Sequence, residues 1–457
     1  MLRRLHNALF MELENPKIKS RLNNVEPSFV FLIEKKRDNE EFNEEEIRYL
    51  ADAILKQRIS DTQLAALAMA IYFRGLSPQE ISIFTEEMML SGEVFALPKI
   101  SHPKINRYAT GGVGDKTGLI LIALAAACGI AVPAMLGDEE GFIISDLTKL
   151  SAIPGISVDL KPEQFAKQVR SVGCAITRQF PQITPINHLL FRIREQTGTI
   201  PSLSLLTCSL LSRKFSEGSE GVVVDVKWGN GSYIRDLEEA KQLARMITRI
   251  AKNMNRRCVA LVTDMNQPLG NAVGTGLEIQ EVIRMLHGEI DSESDELILR
   301  LGMEMVRLAG VAGSTLSAKQ MIKRNLSNGT ALSKFREMVV AQGGDGSYID
   351  HPEKFPKAAQ IRKLSATKRG YIHTIDAKEI AIAVQLLAKQ PNDSIDHSVG
   401  VSDIKKVGSQ IKQGESLLTV HYNDETNLDV ALEHLRLAYR LAPKRPTEND
   451  LIVERVA

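Results

Sequence analysis

The chain has almost no net charge, with 57 Lys and Arg against 56 Asp and Glu in 457 residues. A nucleic-acid coat or an anionic membrane surface calls for a strong basic bias, so neither is expected as the main partner. Cysteine is scarce. Cys128, Cys174, Cys208 and Cys258 are the only four, they lie far apart, and no two form a CxxC pair. That pattern excludes a disulfide framework and a structural zinc site and suits reduced thiols in the cytoplasm. Neither a metal nor a cofactor is called for. Long hydrophobic runs are also missing. The longest, residues 119–135, is broken by Gly129 and Pro133 and falls short of the ~20 clean apolar residues of a spanning helix. Arg3 and Arg4 are followed by Glu12, Glu14 and Asn15, which is not the apolar core of a signal peptide. No internal repeat or low-complexity linker stands out.

What is present is ordinary soluble composition, 44% hydrophobic and 25% charged. The length exceeds the roughly 100–200 residues usual for one domain, so two or three are expected. Residues 1–25 are polar and weakly periodic and read as an extension. Asn43 and three following glutamates start a helix, with Ile47, Leu50, Ala51 and Ile54 on one face. Asp61 caps the next, carrying Leu64, Leu67, Ala68 and Ile71 and ending at Gly75. Ser77-Pro78-Gln79-Glu80 begins a third, with proline at the first helical position. After Pro98, glycine-rich turns separate amphipathic helices from runs such as Val222–Val226 and Cys258–Val262, which read as buried parallel strands. Beyond Lys363 the texture changes again. Strands are expected at Gly370–Ile372 and Glu415–His421, with helices at Lys378–Leu387 and Leu428–Leu441.

The strongest local signal is Ala109-Thr110-Gly111-Gly112-Val113-Gly114-Asp115-Lys116-Thr117. A glycine-rich turn feeding a helix near Thr117 presents backbone N–H groups that attract anions. The same residues also suit a tight strand-to-helix turn that needs glycine for packing.

This stretch resembles the phosphate loop of the thymidine phosphorylase and pyrimidine-nucleoside phosphorylase family, Lys-His-Ser-Thr-Gly-Gly-Val-Gly-Asp. The resemblance continues in one order from about Phe29 to the C-terminus. It includes Lys36-Arg37-Asp38, Ala126–Pro133, Lys149–Gly155, Val224–Gly231, Thr263–Gly270 and Ile395–Gly400. It implies an α/β fold in which a small all-helical domain joins a large α/β domain with a mixed, largely parallel sheet and a C-terminal α+β subdomain. The implied boundaries are 26–95 for the helical domain, with 185–216 returning to it, then 96–184 and 217–355 for the α/β domain and 356–457 for the subdomain. A homodimer through the helical domain is expected on the same grounds.

The side chains depart from the family at the phosphate end. Its loop lysine is Arg107, its loop serine Ala109 and its base-facing histidine Tyr108. A further serine is Gly118. In the family's second glycine-rich stretch, Ser-Gly-Arg-Gly-Leu-Gly-His-Thr-Gly-Gly-Thr, the first serine is Leu136, the arginine Asp138 and the last threonine Asp146. Asp138, Glu139 and Glu140 also suit a solvated acidic turn. Four hydroxyl donors to a charged ligand are worth on the order of 5–10 kcal/mol together. Two like charges ~4 Å apart repel by about 4 kcal/mol at an effective dielectric near 20. Arg107 still offers a bidentate clamp for an anion.

The base end is better kept. The family's pyrimidine-reading arginine, serine and lysine correspond to Arg194, Ser209 and Arg213, the last two four apart on one helix face. The implied catalytic set is Tyr108, Arg194, Arg213 and Asp146. The implied binding set is Arg107, Thr110, Gly111, Gly112, Arg194, Ser209, Arg213 and Tyr233. Some family members hold potassium near the loop with a threonine, two backbone carbonyls and a carboxylate. Leu269, Ala272 and Glu281 match, but Lys116 takes the threonine's place, so its ammonium is expected to pair with Glu281. His102, His188 and His397 fall near family segments but at no catalytic position.

The implied activity is cleavage of a pyrimidine nucleoside's N-glycosidic bond with phosphate as the family's acceptor. Two other readings stay open: a nucleosidase in which Asp146, or an acid of 138–140, activates water, and a nucleoside-binding protein without activity.

Overall fold

The structure, a computed structural model, describes residues 28–97, 99–137, 141–289, 292–390 and 394–457. The extension 1–25 and the acidic turn at 138–140 lie outside the described residues.

Four helices come first: Phe29–Arg37, Glu44–Leu55, Asp61–Arg74 and Pro78–Leu90. Asn43 and Glu46 form a reciprocal capping box, each side chain bonding the other's backbone N–H. The Asp61 helix is capped one residue earlier than its sequence suggests. Ser60 is the N-cap and Gln63 completes its box, because the serine hydroxyl reaches the third helical N–H while Asp61 already has helical geometry. Ser77 caps the fourth helix, and its box partner Glu80 is buried and also takes the Lys36 ammonium at 2.8 Å.

Five strands of the α/β unit follow in chain order: β1 (Ile105–Ala109), β2 (Val132–Leu136), β3 (Cys174–Arg178), β4 (Gly221–Trp228) and β5 (Arg257–Asp264). The central sheet runs β1, β4, β5 and then the C-terminal strand Ile452–Val456, while β2 and β3 form a separate parallel pair. β1, β4 and β5 are parallel and the C-terminal strand closes the edge antiparallel, giving a mixed, largely parallel sheet. Alternation along β4 separates two cores. Val222, Val224 and Val226 join the helical unit, including Leu50, Ile81, Leu211 and Phe215. Val223 faces the other cluster with Leu119, Ile120 and Leu261. Asp225 and Lys227 share the Val223 face and reach the carboxyl end of the strands, where open α/β sheets carry their ligand sites.

The helices Pro185–Thr197 and Leu203–Ser216 return to pack among the first four. The C-terminal unit is α+β, with two three-stranded antiparallel sheets and the helices Ala377–Ala388 and Leu428–Ala438. The second helix ends three residues short of the sequence expectation. From Tyr439 the chain extends to pair with Gly370–Ile375, and that ladder overrides the helical pattern. No helix of the described residues is long and apolar enough to cross a membrane.

Candidate active site

The glycine turn leaves the end of β1 and enters the Thr117–Ala127 helix. Thr110 is fixed at both ends, its N–H donating to the Asp225 carbonyl at 3.0 Å and its hydroxyl accepting from the Lys227 N–H at 2.9 Å. Gly111 has φ +94°, and a Cβ there would crowd Ile143 at 2.9 Å. A Cβ at Gly112 would meet the Lys227 stem at 2.7 Å. The turn's glycines are therefore needed for close packing as well as for backbone shape.

Arg107 lies under the turn. Its Nη2 donates to Asp115 Oδ2 at 2.8 Å, Thr117 Oγ1 at 2.7 Å and Asp225 Oδ2 at 3.0 Å. Lys227 Nζ adds a 2.8 Å ion pair to the same Asp225 oxygen. Burial alone would raise the Asp115 carboxyl, but Arg107, Lys227 and Lys149 outweigh it and hold it well below the usual carboxylate range.

Asp146 opens the short helix Asp146–Leu150, which Ser145 caps. Its Oδ2 fills the space beside Gly118. A Cβ built on Gly118 would overlap that oxygen and lie 3.0 Å from Arg107 Nη1. A serine at 118 and this carboxylate thus compete for one volume. Lys149 Nζ stands 3.4 Å from Asp146 Oδ1 and 3.2 Å from Glu278 Oε2, and it donates to the Asp115 carbonyl. Burial raises the Asp146 carboxyl above its usual value. Lys149 opposes this, Asp115 adds to it and Arg107 opposes it.

These groups line a cavity of about 140 Å³ whose walls include Arg107, Tyr108, Thr110, Gly111, Gly112, Asp146, Arg213 and Tyr233. Eight of the residues expected from sequence therefore meet at one place. At its far end Arg213 Nη2 donates to the Tyr108 hydroxyl at 3.3 Å, with the guanidinium 5.7 Å from the ring centroid. Leu136, Gly137 and Arg213 also line a second cavity of about 470 Å³ that runs to Leu55, Gln57 and His188 on the helical side. The two cavities thus share Leu136, Gly137 and Arg213 where the helical and α/β units meet. Arg107 Nε and Arg213 Nε are buried donors with no hydrogen-bond partner among the described residues.

Arg194 and Ser209 are not brought to the lining of either cavity. The sequence reading aims Arg194 at the base. Instead its guanidinium donates to the carbonyls of Thr199, Ile200 and Leu205, in the bend before and at the start of the Leu203–Ser216 helix. Buried carbonyls in such a bend need donors, and a buried arginine supplies several. Ser209 is buried on that helix, one turn before Arg213.

The cation expectation meets a clear geometry. Lys116 Nζ lies 2.7 Å from Glu281 Oε2, 3.0 Å from the Leu269 carbonyl and 3.2 Å from the Ala272 carbonyl. Lys149, Lys214 and Phe142 carry parts of the site that the sequence reading leaves without a role. Lys149 had a signal, since it stands three residues after Asp146 in a capped helix. Phe142 had none. It packs at 5.3 Å on Tyr233 and receives Lys378 from the C-terminal unit, whose Gln385 also donates to the Gly141 carbonyl.

Comparison with known proteins defines the class first. The sequence matches the glycosyl transferase family helical bundle domain over residues 31–92 and that family's a/b domain over 101–332. The fold agrees. Anthranilate phosphoribosyltransferase from Thermus thermophilus superposes with a TM-score of 0.56 at 16% identity, over 68% of this chain and 98% of its own. The C-terminal residues 371–442 match the pyrimidine nucleoside phosphorylase C-terminal domain. The pyrimidine-nucleoside phosphorylase of Staphylococcus haemolyticus is 39% identical over 409 residues, 89% of this chain and 94% of its own, and that of Staphylococcus aureus strain MSSA476 is 38% identical over 402, with 87% and 93% covered. The chain belongs to the pyrimidine-nucleoside phosphorylase family and is an enzyme of that glycosyl-transferring type.

Proposed function

We propose that this enzyme transfers the pentosyl group of a pyrimidine nucleoside, with the base at the Tyr108–Arg213 end of the cleft and the acceptor at the glycine turn. The observation that carries the reading is Arg213. Its buried Nε has no hydrogen-bond partner among the described residues, and the residue sits where the two cavities join. Breaking the C1′–N1 bond leaves negative charge on the base, spread onto its ring carbonyl, and a fixed cation stabilises that charge more than the neutral nucleoside. Tyr108 orients the guanidinium and offers a hydroxyl. Arg194 acts from behind, holding the bend that starts the helix bearing Ser209 and Arg213. Tyr233 forms the side wall against Phe142. Closing of the helical unit on the α/β unit is the step that brings Ser209 toward the base.

Phosphate is the acceptor that the relatives' name implies, and the turn keeps the backbone for it. The exposed Phe31, Tyr72 and Phe73, on two helices of the N-terminal unit, supply an apolar face for the expected homodimer. The reading is tested by incubating the purified chain with uridine and thymidine and following free base chromatographically. Base release at a rate proportional to enzyme supports it. Saturable nucleoside binding without release supports a binding protein instead.

A further inference from the structure

We propose that the acceptor is water, activated by Asp146, and that the enzyme is a pyrimidine nucleosidase. This rests on the pentosyl-transfer reading and names its second substrate. Gly118 stands in the first turn of the Thr117–Ala127 helix. A glycine in a helix's first turn is a poor choice unless something needs the room, and what occupies that room is the Asp146 carboxylate. The two positions are linked: a side chain at 118 would have to displace the Asp146 carboxylate from where it now lies.

A phosphate dianion would have to share this space. Three of the nearby cations already face carboxylates, although Arg107 keeps an unpartnered Nε. Arg107 pairs with Asp115 and Asp225 at 2.8 and 3.0 Å, Lys227 with Asp225 at 2.8 Å, and Lys149 with Glu278 and Asp146 at 3.2 and 3.4 Å. Ala109, Gly118 and Leu136 line the cavity and bring no side-chain donor. A dianion would therefore meet carboxylates that neutralise the cations and an acid in its own volume. A neutral nucleophile meets neither obstacle and gains a base.

The reaction balances without another reagent. The water oxygen bonds to C1′ as the C1′–N1 bond breaks, and the bonding pair leaves with the base. Asp146 takes one water proton and releases it through solvent to the departing base anion, giving free pentose and pyrimidine and restoring the carboxylate. Lys149 is a positioning residue. Held by Glu278 and the Asp115 carbonyl, it stands 3.4 Å from Asp146 Oδ1, while Oδ2 lies beside Gly118 in the cavity lining.

The test uses the full chain and uridine in phosphate-free buffer, then with inorganic phosphate added. Free pentose is a reducing sugar and pentose 1-phosphate is not, so the two products are told apart directly. Expected are equimolar uracil and reducing pentose at a rate that phosphate does not raise. Asp146→Asn is expected to lower kcat by about 10²–10⁴-fold, with circular dichroism confirming its fold and Asp146→Glu recovering part of the rate. Uracil release that requires phosphate and yields a non-reducing sugar overturns the proposal while leaving pentosyl transfer intact. Absence of release under both conditions overturns both. The wild-type measurement decides the matter even if a variant fails to fold.

Discussion

The Lys116 ammonium lies 2.7 Å from Glu281 Oε2 and within 3.2 Å of two backbone carbonyls, so a side chain of the protein fills a coordination shell made of oxygens. Burial alone would raise the Glu281 carboxyl. The Lys116 charge and hydrogen bond, with the Asn271 N–H, outweigh it and hold it below its usual 4.5. A lowered carboxyl contributes stability that is present above the unfolded value and lost as pH falls through the folded one.

Removing this cation leaves a buried carboxylate with backbone N–H donors but without its paired ammonium. Lys116→Met is expected to cost about 3–5 kcal/mol in chemical denaturation. Lys116→Thr restores an oxygen-lined hole, so its Tm should rise with potassium chloride and not with choline chloride, while wild type responds alike to both. A potassium-specific rise in wild type would show that Lys116 has not replaced an ion.

Gly118 and Asp146 should be energetically coupled. Gly118→Ser alone is expected to lower stability, because the new Cβ overlaps the Asp146 carboxylate. In an Asp146→Thr background the same change should cost little. The double-mutant cycle should give a coupling of about 0.5–3 kcal/mol. Additive effects in thermal melts would mean the two positions do not share a volume.

The fold was legible in the sequence for a physical reason. Caps such as Asn43 and Ser77 and valine runs such as Val222–Val226 act locally, and the glycine turn uses positive φ at Gly111 and Gly114 that few other residues adopt. The candidate site was legible where backbone position is kept together with residue type, as at Thr110, or with charge alone, as at Arg107 and Arg213, and all three line one cavity. It was not legible at Arg194, whose partners are carbonyls of a bend that no side-chain pattern announces. Nor was it legible at Phe142, whose neighbour Lys378 lies in another unit. Long-range packing decides both.

At the base end, Arg213→Ala should lower kcat/KM for base release by about 10–100-fold, the worth of one hydrogen bond to a charged group. Tyr108→Phe keeps the ring under the guanidinium and removes only the 3.3 Å bond, so a smaller loss is expected. Steady-state kinetics on uridine checks both. An Arg213→Ala enzyme with unchanged kcat/KM would remove the base from this end of the cleft.

The pH profile carries a signature of Asp146. Burial raises its carboxyl above the usual 3.8, and a general base works only when ionised, so kcat/KM should rise with pH through that raised value. The acidic limb should therefore sit above the ordinary aspartate range and vanish in Asp146→Asn. A limb that persists unchanged in the variant assigns it to another group.

The most direct test of the account is calorimetric titration of inorganic phosphate into the wild-type chain and into a Gly118→Ser, Asp146→Thr double variant. Asp146 in the room beside Gly118 predicts no saturable binding to wild type and measurable binding to the variant. Saturable phosphate binding to wild type, unaffected by the double substitution, would contradict it.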